Sequence, residues 1–246
     1  MDASAARLPA VSPTYRISQI LYLVLGVVEA LMITRVVLKL LAANADRVAV
    51  LVHSAHPDVR NEAAQRSIVA TVPGSVFRYI NAGPNVLGAV IRDQIARRGL
   101  PYHQTVYGLL ADRLGMASYQ HSADIAGNLI ASGAGFASLR DYAKIGVLYL
   151  QDGVWNGGRL LPPGWADYAL TPTHTGTSYA ACFRSNIDRL FPDLPPETAW
   201  ASGASDQRIF ILRRHRLTVA VANETDYPVD LAALNRVIAT AIATLT

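Results

Sequence analysis

Residues 17–44, ISQILYLVLGVVEALMITRVVLKLLAAN, are the feature that most restricts what this chain can become. Positions 20–28 hold no charged or amide side chain, and apolar character persists to residue 43. About 20 apolar residues in a helix span the hydrocarbon core of a bilayer. Three charges interrupt the run: Glu29, Arg35 and Lys39. Lys39 and Arg35 could lay their stems along apolar surface and reach an interface. Glu29 sits deeper and costs a few kcal/mol if charged and unpaired. At about 100° per residue, Arg35 and Lys39 fall about 40° apart and Glu29 about 80° from Lys39. One polar side suits a membrane bundle, an interfacial helix or a buried helix of a soluble domain. The expectation is a membrane-associated helix within residues 1–50 and a membrane location. Basic residues flank both ends, so orientation is open. The apolar part is too long for a secretory leader, and no small-x-small site follows it.

Residues 15–44 open on Tyr15-Arg16-Ile17, pass through Glu29 and Arg35, and close on Leu40-Leu41-Ala42-Ala43-Asn44. This resembles the opening of small YggT-type membrane proteins. The resemblance implies a membrane helix and no chemistry.

The remainder has a different character. From about residue 57, Gly, Pro, Asp and Trp recur as in a globular domain, giving a second unit over 57–246. Of 246 residues, 16% are charged and the net charge is +4, but the basic residues are scattered and only Lys39 and Lys144 are lysines. No basic run is interleaved with aromatics, so nucleic acid is not an expected partner; mild attraction to anionic lipid is compatible. Cys182 is the single cysteine, which excludes an internal disulfide. The six histidines form no close ligand pair, so no metal or other cofactor is expected.

Punctuation and periodicity set the elements. Residues 84–98 read as a helix opening at Pro84 and stopped by Gly99, and a second helix over 103–114 ends at Gly115. A third, 138–152, starts at Ser138 with Asp141 in its first turn and stops at Gly153. RIFILRRHRLTVAVAN (208–223) reads as a β-hairpin with a charged turn. Residues 229–245 form a terminal helix with Leu231, Leu234, Val237, Ile238 and Ile242 as its apolar positions. Helices, an antiparallel hairpin and a covering helix indicate an α+β fold.

Three ordered blocks then carry a wider likeness. They are PGSVFRYINAGPNVLGAVI (73–91), LGMASYQHSADIAGNLIASGAGFASLRDYAKIGVLYLQDGVWNGGRLLPPGW (114–165) and WASGASDQRIFILRRHRLTVAVAN (200–223). Together they resemble the penicillin-recognising serine hydrolases: class C β-lactamases, esterases and 6-aminohexanoate-dimer hydrolases. The resemblance implies hydrolysis of small amides or esters through a Ser-x-x-Lys motif. By the same resemblance Tyr79 is the tyrosine of the middle motif, passing a proton between nucleophile and leaving group. That role requires a neighbouring cation, because a phenol ordinarily titrates near about 10. Asn81 would hydrogen-bond the lysine or the substrate amide. The third motif maps to Ala201-Ser202-Gly203, with Ser202 and Gly203 lining the substrate and the Ala204 amide donating to the oxyanion.

The chain contains no Ser-x-x-Lys: Val36 and Asp141 stand three residues before its two lysines. Ala201 occupies the place of the third motif's cation, and Asp206 brings a negative charge close to the oxyanion position. The expected architecture is therefore an incomplete serine β-lactamase-like fold, an antiparallel sheet with helices, preceded by a long apolar helix. The expected function is a hydrolase-type domain inactive alone, or else a membrane-anchored binding module keeping the pocket. The hairpin would keep an uncovered edge, open to self-association, and a partly exposed apolar face.

Overall fold

The computed structural model describes residues 75–175, 178–223 and 228–245. The apolar run of 17–44 lies outside them. Among the described residues no helix is long and apolar enough to cross a membrane.

Helix α1 (Ala82–Ala96) starts two residues before Pro84. The first-turn N–H groups of any helix lack intrahelical acceptors, so a proline in that turn removes nothing. At the other end Gly99, at φ +66°, lets the Leu100 N–H return to the Ile95 carbonyl (3.3 Å). Helix α2 (Tyr102–Leu109) is shorter than its apolar pattern suggests. The chain unwinds through turns over 110–115 before Gly115, at φ +64°. A small hairpin follows, β1 (Gln120–His121) against β2 (Gly135–Phe136).

Helix α3 (Leu139–Leu150) keeps the predicted punctuation. The Ser138 hydroxyl accepts from the Asp141 N–H at 3.3 Å. Gly153 stands at φ +79°, where a side chain would run into Leu161. A second small hairpin, β3 (Val154–Trp155) with β4 (Gly158–Arg159), leads into helix α4 (Trp165–Leu170), which the sequence reading left unassigned.

The main sheet is antiparallel, with strands in the order β5 (Arg184–Ser185), β6 (Ala199–Ser202), β7 (Arg208–Leu212) and β8 (Leu217–Val221). Trp200 lies opposite Phe210, and Phe210 opposite Val219. Helix α5 (Leu231–Leu245) packs on that face: Phe191, Leu194, Trp200, Phe210, Leu212 and Ile238 form one buried cluster. Phe191 meets Trp200 and Phe210 edge-on, at 5.2 and 5.1 Å between ring centres. On the opposite face Ile211 joins Leu148 and Tyr149 of α3 in the larger core, which extends to Ile91 and Ile95 of α1.

All five side chains of β7 are consequently buried, and those of β8 are half-buried. This corrects the expectation of an exposed apolar face on the hairpin: α3 and α5 cover the two sides. Among the described residues β8 has no outer partner strand. Val237, expected on the apolar side of the terminal helix, is 64% exposed, whereas Ile238 is fully buried. Buried Asn186 secures the loop between β5 and β6, donating to the Phe191 and Leu194 carbonyls (2.8 and 3.1 Å) and accepting from the Phe191 N–H (2.9 Å).

Gly146 marks the closest approach of α3 to the sheet. A Cβ there would overlap the Thr218 hydroxyl and lie 3.1 Å from Ile209 Cγ2. Gly146→Ala should therefore destabilise the domain by about 1–3 kcal/mol despite alanine's higher helix propensity. A thermal melt unchanged or raised in that variant would contradict this packing.

Candidate functional site

The middle-motif residues lie on the approach to α1. Tyr79 is 58% exposed. Asn81 is half-buried and sits at the N-cap position with helical φ/ψ (−84°, −14°), its side chain making no cap hydrogen bond. The ring of Tyr79 meets Tyr179 edge-on at 5.9 Å and 78°, and Phe77 packs against the same tyrosine at 4.8 Å. Tyr179 pairs with Arg184, and Arg184 lies opposite Trp200, two residues before Ser202. Through Tyr179 the segment carrying Tyr79 thus reaches the β5 side of the sheet whose strand β6 ends at Ser202.

Ser202 ends β6, exposed and opposite Arg208. By alternation its side chain shares the sheet face of Trp200, whereas Ala201 packs against the α3-side core. Gly203 is extended (φ −104°, ψ 175°), and its N–H donates to the Gln207 carbonyl at 2.8 Å. The Cβ of any larger residue would come within 3.2 Å of Gln207 Cβ, so close approach accounts for the glycine. Ala204 is exposed, and its N–H has no acceptor among the described residues. Ser205 and Asp206, at φ +53° and +62°, both adopt the left-handed conformation that tightens this turn.

Asp206 does not leave the bare charge expected from the sequence. Its carboxylate accepts from Arg208 Nη2 (2.7 Å) and from the Val229 N–H (3.0 Å). Arg208 is 9% exposed, and its Nε and Nη1 have no hydrogen-bond partner among the described residues. The turn after the third motif is therefore neutralised by a neighbouring strand.

Tyr179 and Arg184 escaped the sequence reading because nothing in their spacing singles them out. Burial, with smaller pushes from Cys182 and Tyr79, raises the Tyr179 phenol above its ordinary value, and Arg184 opposes this only weakly. Tyr179 is thus a neutral wall, and the Arg184 guanidinium lies over its ring at 5.7 Å.

Lys144 is the only lysine among the described residues. Its Nζ lies 2.7 Å from the Asp141 carboxylate and also donates to the Gly115 carbonyl. The other Asp141 oxygen accepts from the Ser118 hydroxyl (2.5 Å) and N–H (2.9 Å). Lys144 and Ser118 hold Asp141 down at about 2. This Ser-Asp-Lys grouping ties α3 to the preceding loop.

A second polar network holds the β1–β2 hairpin. His121 Nε2 lies 2.9 Å from the Ile130 carbonyl and must donate to it. Nδ1 is then the acceptor for the Tyr119 hydroxyl at 2.7 Å. The Tyr107 hydroxyl accepts from the His121 N–H at 2.8 Å. Among the described residues no cluster of His, Cys, Asp or Glu is arranged to hold a metal ion.

With this geometry in hand, comparison with solved structures is informative. A β-lactamase from Mycobacterium bovis superposes with a TM-score of 0.59 at 16% identity, covering 94% of this chain and 86% of that one. The hydrolase EstCE1, which has promiscuous acyltransferase activity, gives 0.55 at 15% identity, covering 92% and 84%. A Bacillus anthracis protein described as a 6-aminohexanoate-dimer hydrolase gives 0.57 at 21% identity, covering 74% of this chain. The fold is that of the serine β-lactamases and related hydrolases. The chain spans 46% of the length of the Bacillus anthracis protein. No family model and no curated protein matches the chain, so the YggT likeness of its first segment rests on the quoted residues alone.

Burial lowers the His121 pKa below its usual 6.5, outweighing the ring's hydrogen bonds to the Ile130 and Gly133 backbone. A lowered histidine pKa means that the folded state favours the neutral ring. Its contribution is complete above the unfolded-state value and is lost as pH falls below about 6.5. Melting temperature should therefore drop between about pH 7 and 5, and His121→Gln should flatten that slope. An unaltered slope in the variant would exclude His121 as its source.

Proposed function

We propose that this chain presents the ligand-facing surface of a hydrolase-type cleft for small amides or esters and, alone, lacks the nucleophile for acyl transfer. One observation carries the reading: the only described lysine, Lys144, is fastened to Asp141 and Gly115, whereas the Tyr79 ring meets Tyr179. Acyl transfer on such a scaffold needs an alcohol beside an amine that accepts its proton. Lys39, the other lysine, follows Val36 by three residues and so also lacks the serine. What the surface retains is recognition. Tyr79 offers an exposed phenol, Ala204 an unengaged N–H, and Gly203 a strand end against which a ligand backbone can lie.

A second reading, a membrane-anchored binding module using the same surface, is favoured by the apolar run of 17–44. On this reading the protein stays in the membrane fraction after an alkaline carbonate wash. Release into the supernatant counts against it.

The hydrolytic question is settled on the purified chain with nitrophenyl acetate, a chromogenic cephalosporin and a fluorophosphonate probe. The expected result is turnover no higher than that of Tyr79→Phe, with no serine gaining the probe's mass. A labelled serine, or turnover abolished by Tyr79→Phe, would overturn the proposal.

A further inference from the structure

The chain between β1 and β2, residues 122–134, lies against α1 and is held there by polar contacts. Arg92 of α1 donates through Nη1 to the Ala126 carbonyl (3.0 Å) and to Asn128 Oδ1. His103 of α2 meets the Gly127 carbonyl through Nε2 at 3.1 Å. The Asp124 carboxylate accepts from the Asn128 N–H (2.7 Å) and Nδ2 (2.8 Å). At Gly88 the two segments come close: a Cβ there would lie 3.1 Å from Ala131 Cβ. Beside that contact the polar pairing is incomplete. Asn85 is 5% exposed, and its Oδ1 accepts from the Ser132 N–H at 3.1 Å. That bond fixes which end of the amide is oxygen and which is nitrogen. Asn85 Nδ2 is buried and has no hydrogen-bond partner among the described residues, and neither has Ser132 Oγ. Asn85, Gly88, Asp124 and Leu129 help to line a cavity of about 10 Å³, measured at the centre of a water molecule.

We propose that this cavity is the binding site of one ordered water, which bridges Asn85 of α1 to Asp124 of the loop. A water needs about 10–15 Å³ on the same measure, and polar partners on more than one side. Asn85 Nδ2 donates to its oxygen. Its own hydrogen turns to the Asp124 carboxylate, which can accept more bonds than the two from Asn128. Charge selects the occupant. An anion would face Asp124, and a cation would face the Asn85 N–H. A neutral molecule that both accepts and donates suits both, and the volume admits nothing larger than water. The bridge joins the loop before β2 to α1, the helix that follows Tyr79 and Asn81. It stands independently of the reading of the cleft.

The test uses the isotope-labelled full chain in solution, with NMR transfer of magnetisation from water by NOE and by ROE. A water held longer than the protein takes to tumble gives NOE and ROE cross-peaks of opposite sign. Passing surface water, or proton exchange, gives the same sign in both. The expected result is opposite-sign cross-peaks to the side-chain amide of Asn85, absent from Asn85→Asp. The signal is also assigned through the bonded backbone nuclei of Asn85, so the test stands if that variant fails to fold. Melting temperature should be the same in sodium chloride, potassium chloride and sodium bromide of equal strength, because an ion held by the native state would raise it selectively. Same-sign cross-peaks, none at all, cross-peaks that persist in a folded Asn85→Asp, or a melting temperature that follows one ion each overturns the assignment.

Discussion

The described domain depends on one constraint: β7 must be buried on both faces at once. Five consecutive side chains, Arg208 to Leu212, are removed from solvent. Each large apolar one among them contributes about 1.5–3 kcal/mol by leaving water. That burial requires two covering layers. Helix α5 supplies one through Ile238, and α3 supplies the other with Leu148 and Tyr149, its backbone drawn in at Gly146. Once both layers are in place β6 is held against β7, and the exposed turn at Gly203 and Ala204 is projected from a rigid support.

The candidate site consists of what this support leaves at its margin. Asp206 and Arg208 neutralise one another beside the strand end, and Asp206 also ties the turn to the chain entering α5 through the Val229 N–H. Tyr179 performs the equivalent task on the β5 side, where its half-buried ring meets Phe77, Tyr79 and Arg184. The polar networks at Asp141 and His121 belong to the scaffold. In them Ser118 donates to Asp141, Tyr119 to His121 and His121 to the Ile130 carbonyl, tying loop to helix and strand to loop.

Much of this organisation was legible in the residues themselves. Ser138 with Asp141 announced the start of α3, and Gly99 and Gly153 announced two stops, because caps and left-handed glycines act within a few residues. The hairpin from 208 to 221 was legible for the same reason. The start of α1 was misplaced because Pro84 looks like a first helical residue yet is equally at home further into the first turn. The shortening of α2 and the outward turn of Val237 were not legible: both follow from which neighbours arrive, not from spacing along the chain.

The quoted motifs, the missing Ser-x-x-Lys and the apolar run of 17–44 are properties of the sequence alone, since each is a matter of residue type and order. The tertiary structure alone decided that Tyr79 meets Tyr179, about a hundred residues further along the chain, and that Arg184 lies over the same ring. It also decided that Asp206 is neutralised and that Lys144 is held by Asp141 and Gly115. The physical reason is that burial and charge pairing depend on groups brought together by packing across the sheet, which no local pattern encodes.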